Sequence, residues 1–248
     1  MSAPHVLVTG ASRGIGLAIA ERLLHDGASV TLAARSSDSM SEFRARVGVS
    51  EARCRMVQID LSRSQDFDDL VAAVEEPGQR LDGVVHAAGT QLRKPAIEVG
   101  EEELIRLLRI HLVVPYLLST AVARSQIAGG RGGSHVFIAS LGSSIAIPNA
   151  SPYTAAKSGV MGVVRSLAVE LAPHGIRANA VAPGYVRTDL TADLLSSSDQ
   201  RERILGRTPL GRLGQPREVA AAVSFLLGGD SSFVTGEVLR VDGGWLSA

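Results

Sequence analysis

Cysteine is almost absent: Cys54 is the only one in 248 residues. That excludes an internal disulfide and a cysteine-based metal cluster. The six His are scattered without metal-ligand spacing, so no metal site is expected. An excess of either charge is missing too. Lys and Arg together number 25, as do Asp and Glu, and that balance points to neither nucleic acid nor an anionic membrane surface. No uncharged run reaches the length of a membrane span. The opening residues, Met1-Ser-Ala-Pro-His-Val, lack the basic and apolar regions of a signal peptide, so a cytoplasmic location is expected. There is no linker-like stretch, fixed-period repeat or low-complexity tract.

What is present is a hydrophobic fraction of 45%, enough to bury a full core, over a length that suits one large α/β domain. Short apolar, β-branched runs predict strands at 5–9, 28–34, 55–59, 81–86, 134–140, 176–181 and 237–241. Helical patterns fall at 17–25, 39–47, 65–76, 101–125, 153–171 and 217–227. Pro115, inside the longest of these, should cost a backbone hydrogen bond and kink it. The segment 188–214 is polar and has no clean periodicity, which suits an active-site lid. Strands alternating with helices imply an α/β, doubly wound parallel sheet of about seven strands with helices on both faces. Residues 1–248 are expected to form one dinucleotide-binding and catalytic domain.

Two stretches carry chemistry. The first is Gly10-Ala-Ser12-Arg13-Gly14-Ile15-Gly16, between the first strand and the first helix. Glycines there allow a tight turn and close backbone approach to a pyrophosphate, which the helix N-terminus then faces. The second strand ends in Ala33-Ala34-Arg35-Ser36, without the acid that usually meets a free ribose 2′-hydroxyl. Arg35 and Arg13 could instead clamp a 2′-phosphate, which favours NADP(H). The second stretch is Ser151-Pro-Tyr153-Thr-Ala-Ala-Lys157. At the start of a helix, Tyr153 and Lys157 share a face. A nearby ammonium favours the phenolate, lowering a pKa that starts near 10 and suiting Tyr153 to acid–base work. Ser140, at the end of a strand, could hydrogen-bond the same reacting oxygen.

Four separated stretches, TGASRGIG at 9–16, AAG at 87–89, Ser140 with Tyr153 and Lys157, and PGYVRT at 183–188, occur in the order and spacing of one family. The chain resembles the single-domain short-chain dehydrogenase/reductases over its whole length, including VDGG at 241–244. The resemblance implies a homotetramer or homodimer and a small-molecule substrate. It implies that Gly10, Gly14 and Gly16 form the phosphate turn, that Asp60 and Leu61 meet the adenine, and that Ala87, Ala88 and Gly89 line the cofactor. Pro183, Gly184, Val186 and Thr188 would lie at its nicotinamide end. Ser140 would hold the substrate oxygen, Tyr153 would act as acid and base, and Lys157 would hold the ribose and lower the Tyr153 pKa.

The chain departs from the family pattern at two places. His86 stands where Asn usually precedes Ala-Ala-Gly, and His111 where an Asn usually kinks the long helix and anchors a proton-relay water. A neutral imidazole offers one donor and one acceptor. His111 could therefore order that water, and its protonation would then give the rate an acid limb; both His could equally be core residues with one satisfied hydrogen bond. Arg93, Leu141, Asn149 and Tyr185 are the candidate substrate residues, and the basic pair Arg93-Lys94 suits a small polyhydroxy acid. The stretches TQLRKP and PGYVRTDLT are similar to gluconate 5-dehydrogenases, while the general pattern is equally similar to 3-oxoacyl-(acyl-carrier-protein) reductases. The competing class is a nucleotide-binding sensor on the same fold, inactive because of His86 and His111.

Overall fold

The β-branched run His-Val-Leu-Val-Thr forms β1 (His5–Thr9), every residue of which is buried. Burial on both faces is what a central strand of a parallel sheet requires. The computed structural model describes residues 3–36, 40–63, 66–75, 79–189, 191 and 197–248. Six more strands follow: β2 (Ser29–Ala34), β3 (Cys54–Gln58), β4 (Gly83–His86), β5 (Gly133–Ile138), β6 (Ile176–Pro183) and β7 (Val238–Val241). All pair in parallel, in the order β3-β2-β1-β4-β5-β6-β7. Each lies within two residues of a predicted strand.

Helices α1 (Gly14–His25), α2 (Met40–Val47) and α3 (Phe67–Val74) fall in the first half of the chain. Asp66 caps α3, accepting from the Asp68 and Asp69 N–H groups at 2.8 and 3.4 Å, which satisfies two of the first free donors. The predicted helix ends at 39, 65 and 76 fall on residues outside those described. The long amphipathic stretch becomes α4 (Glu101–Leu108), a π turn (Arg109–Val113) and α5 (Val114–Ala128). The irregularity expected at Pro115 thus lies one turn earlier. Pro115 sits in the first turn of α5, a position that tolerates its missing N–H.

The combined helix Glu101–Ala128 is long and apolar enough to cross a membrane. One side of it is instead packed into the protein core. Leu107 is buried, and Val114, Leu118, Ala121 and Val122 join Leu7 and Val84 of the sheet and Phe67, Leu70 and Val71 of α3 in one cluster. Helix α6 (Ser151–Leu171) covers β5 and β6 through Val160, Val164 and Leu167. Helix α8 (Pro216–Leu227) packs with α1 on a sheet face, through Val219, Val223 and Leu226 against Ile19 and Leu23.

The described residues of the segment read as irregular include a helix, α7 (Ser198–Arg207). Ser197 caps it by accepting the Gln200 N–H at 3.5 Å. Ile204 is its sole buried residue, so its sequence carries no apolar period to betray a helix.

Candidate active site

The chain lays β1, β2 and β3 toward one edge, then returns with β4 beside β1. Ligands of doubly wound sheets bind at such a switch point, outside the carboxyl ends of the strands. A cavity of about 540 Å³ opens there. Thr9, the last residue of β1, ties its floor together. Its hydroxyl donates to the Val85 carbonyl at 3.2 Å and accepts the N–H groups of Ala87 and Ala88 at 3.1 and 3.2 Å. The glycine turn and the Ala-Ala-Gly segment are thereby pressed together. A Cβ on Gly10 would lie 2.5 Å from the Ala88 Cα, and Gly10 has φ +66°, so only glycine serves.

Helix α1 begins at this turn with no side-chain cap on its first N–H groups and no acid in its first turn. A helix start left uncapped at a cavity wall suits phosphate charge. Every cofactor-site residue named from the sequence borders the cavity: Ser12, Arg13 and Ile15 of the turn, Arg35 after β2, Asp60 and Leu61 after β3, Ala87 to Gly89 after β4, and Pro183, Gly184, Val186 and Thr188 after β6. Among the described residues no acid stands at the end of β2, where Ala33, Ala34 and Arg35 face the cavity. Arg13 Nη1 lies 3.6 Å from Asp189 Oδ2, both side chains largely exposed. Asp60 accepts the Ser62 N–H and hydroxyl at 3.0 and 2.7 Å, and those bonds hold its carboxyl below its usual pKa. This donor set fits a phosphorylated dinucleotide.

At the opposite end, Ser140, Tyr153, Lys157 and His111 converge on the same cavity. Ser140 leaves β5 in extended conformation, and its hydroxyl accepts the Gly142 N–H at 3.2 Å. Tyr153 and Lys157 lie in the first two turns of α6. Lys157 is 5% exposed, donates to the Ile138 carbonyl at 2.6 Å, and has Nζ 5.7 Å from the Tyr153 ring centre. Burial lowers its pKa to about 7. Burial also raises the Tyr153 pKa, opposed by a hydrogen bond from Ser140 and by the charge of Arg93. Lys157 is not among the groups that shift it. In this state desolvation outweighs the opposing groups, and Lys157 points its proton at a backbone carbonyl.

His111 lies in the π turn, 3% exposed, with its ring edge-on to Tyr153 at 5.2 Å between centres. Thr90 brackets its Nε2, with the carbonyl at 2.7 Å and the N–H at 3.1 Å, so either neutral tautomer finds a partner. Its Nδ1 is buried and has none among the described residues. A Cβ on Gly89 would come 2.5 Å from the His111 Cε1, so the imidazole occupies room that Gly89 leaves. Burial, reinforced by the Lys157 charge, lowers the His111 pKa to about 3. An acid limb near neutrality is therefore not expected from this residue. His86 is a core residue with one satisfied hydrogen bond, Nε2 to the Ser119 hydroxyl at 2.8 Å, its ring 4.5 Å from Phe137.

A family model described as enoyl-(acyl carrier protein) reductase matches residues 10–246. The gluconate 5-dehydrogenase of Gluconobacter oxydans (strain 621H) is 36% identical over 244 residues, covering 98% of this chain and 95% of that protein. The chain belongs to the short-chain dehydrogenase/reductase family. The 3-oxoacyl-(acyl-carrier-protein) reductase of Vibrio cholerae (serotype O1, strain ATCC 39315 / El Tor Inaba N16961) is 34% identical over 238 residues, covering 96% and 95%. A crystal structure of a gluconate 5-dehydrogenase from Burkholderia cenocepacia J2315, in complex with NADP and tartrate, superposes with TM-score 0.93 at 31% identity, covering 100% of this chain and 97% of that one. As a member of this family, the protein is an oxidoreductase acting on CH–OH groups with a nicotinamide cofactor.

The substrate end of this short-chain dehydrogenase/reductase is only partly as expected. Arg93, Leu141 and Tyr185 border the cavity, and Asn149 does not. Asn149 is exposed, takes the left-handed conformation with φ 57°, and accepts the Lys94 N–H through its carbonyl at 2.8 Å. It stitches two wall loops together from outside, and its short polar side chain tolerates that conformation. Lys94 is spoken for, with Nζ 3.0 Å from Glu103. Arg93 bonds to Gln91 Oε1 at 3.2 Å and meets no carboxylate among the described residues. Ile147 and Thr191 also border the cavity, within the stretches 141–151 and 189–214 expected to supply its walls, and Ile110 was missed. Ile110 follows an arginine in the π turn, so no pattern in the chain marks it.

Proposed function

We propose that the protein interconverts the ketone and secondary alcohol of a small sugar acid or polyol, using NADP(H). One observation carries this reading. Ser140, Tyr153 and Lys157 meet at one end of a cavity whose other end joins an uncapped helix start to Arg13 and Arg35. Bound there, the nicotinamide supplies or takes up a hydride. Tyr153 gives the proton to the carbonyl oxygen in reduction and removes it in oxidation. The Ser140 hydroxyl donates a hydrogen bond to the same oxygen. Lys157 holds the ribose, and its ammonium then favours the phenolate. His111 orders a relay water through Nδ1, the ring nitrogen without a partner. Arg93, free of any carboxylate among the described residues, faces the anionic end of the substrate.

Residues 188–214, of which 190 and 192–196 lie outside the described residues, act as the lid of one domain spanning 1–248. The exposed Ile105, Tyr116, Leu117 and Ile127 on α4 and α5 support assembly into a homodimer or homotetramer, and the single buried thiol is consistent with a cytoplasmic setting. The second reading is a 3-oxoacyl-(acyl-carrier-protein) reductase. It is favoured by the relative of that activity and by Leu92, Leu141 and Ile147 in the cavity wall. Oxidation of NADPH with 5-keto-D-gluconate and with an acetoacetyl thioester, side by side, separates the two. Consumption with the thioester alone overturns the sugar-acid reading, and none with any ketone in a wider panel overturns both.

A further inference from the structure

The chain ends in a turn that stands behind the substrate wall. Asp242 shapes it: Oδ1 accepts the Gly244 N–H at 2.9 Å and Oδ2 accepts the Leu246 N–H at 3.0 Å. Its carbonyl accepts the Trp245 N–H at 3.3 Å. Two backbone bonds moor the turn on either side. Gly184 donates to the Val241 carbonyl at 2.9 Å, just before Tyr185, and Leu210 donates to the Gly243 carbonyl at 3.2 Å, just after α7. Trp245 is thereby placed with 7% of its surface exposed. Its ring centre lies 4.9 Å from that of Tyr185, and the Arg207 guanidinium at the end of α7 sits 4.8 Å from it. Leu141 and Ile204 complete the cluster, with Ile145, Leu213 and Leu246 against it.

This cluster joins three things the chain keeps far apart: Leu141 directly after Ser140, Tyr185 on the cavity wall, and α7. Tyr185 and Leu141 border the cavity, but Trp245 does not. The indole Nε1 is buried with no acceptor among the described residues, so faces rather than a hydrogen bond hold the ring. Aromatic faces and a guanidinium over an indole are directional contacts, which fix a position as well as fill space.

We infer that Trp245 is a positioning residue of the substrate site: it backs Tyr185, ties the end of α7 to it, and so sets the shape of the wall that selects the substrate. The inference rests on the reading of this cavity as a substrate site. It gives the C-terminal turn a part in selectivity without contact with substrate or cofactor. Trp245 is also the sole tryptophan in the sequence, so its emission reports this joint without a label.

The test uses the full chain with NADPH and 5-keto-D-gluconate, or whichever ketone the panel shows to be reduced. Trp245→Ala is expected to raise the ketone KM about tenfold while the NADPH Kd stays within about twofold, because a wall residue displaced by an ångström misplaces the substrate and leaves the glycine turn alone. Trp245→Phe keeps a ring and loses no hydrogen bond, so it should stay within about threefold of the parent. An unchanged KM in a folded Trp245→Ala protein overturns the inference. Should that variant not fold, Arg207→Ala decides. It is expected to raise acrylamide quenching of Trp245 about twofold by uncovering one face of the indole, and unchanged quenching overturns the inference. A parent that reduces no ketone sinks the functional reading instead, while the quenching result still stands or falls alone.

Discussion

The two ends of the cavity are built by different means. At the glycine turn, the groups are placed by strand ends and by backbone N–H and C=O groups gathered on the hydroxyl of one residue, Thr9. At the substrate end, the segments 90–95 and 141–150 share one backbone bond, Lys94 N–H to the Asn149 carbonyl, and the rest of the wall is held by side chains: the Lys94–Glu103 pair and the Trp245 cluster. Wall groups supplied by the backbone depend on few side chains beyond Thr9 and the bare glycines. A wall made of side chains changes shape when one is replaced. The first end therefore holds the shape of a dinucleotide site, and the second can be altered for a new substrate while the sheet stays as it is.

The sharpest break of this comparison is at the residue where the ends meet. Tyr153→Phe should lower turnover by roughly 10²–10⁴-fold, the range of a lost acid–base group, with the NADPH Kd within about twofold of the parent. Retention of more than about a tenth of the rate would remove Tyr153 from the proton step. Lys157→Ala should weaken both turnover and NADPH binding, since the proposed ribose contact goes with it.

Next in size is the cofactor choice, which belongs to the glycine-turn end alone. The parent should prefer NADPH over NADH by one to two orders of magnitude, about 1.5–3 kcal/mol of charge-assisted hydrogen bonds. Arg35→Asp should reverse that ranking and leave the ketone KM nearly constant. Equal kcat/KM with both cofactors in the parent would exclude a phosphate clamp at Arg13 and Arg35.

Stability sharpens the comparison from beneath. His5, His86, His111 and His135 are buried, and desolvation lowers each pKa from 6.5, to about 3 for His111 and His135. Their folded values lie below the unfolded ones, so the unfolded chain takes up more protons as pH falls. The stabilisation is complete above pH 6.5 and is lost progressively from there toward pH 3. Between pH 6.5 and 5.5 the loss should be roughly 1 kcal/mol for each of His111 and His135. Urea midpoints that coincide at pH 7.5 and 5.5 would show these histidines to be far more hydrated than the fold implies.

The smallest effect is expected at His111. His111→Asn should keep most of the activity, and His111→Ala should lower turnover a few-fold, about 1 kcal/mol for one hydrogen bond, with cofactor affinity preserved. Neither should alter the shape of the pH–rate profile between pH 5 and 9, because the parent residue stays neutral there. If His111→Ala matches the parent at every pH, the imidazole only packs against Gly89 and Tyr153.

All seven strands were legible in the sequence, because a buried parallel strand is a short apolar run and nothing else in this chain looks like one. The glycine turn, the missing acid after β2 and the four-residue spacing of Tyr153 and Lys157 were legible for a related reason: each is local, and its chemistry follows from residue type and spacing. The tertiary structure alone decided that Asn149 stays outside the cavity, that His111 is too desolvated to titrate near neutrality, that burial outweighs Ser140 and Arg93 at Tyr153, and that α7 is a helix. It also brought Trp245 against Tyr185, across sixty residues of chain. These depend on which segments meet and how much water they exclude. No window of sequence carries that, because contact and desolvation are properties of the assembled chain.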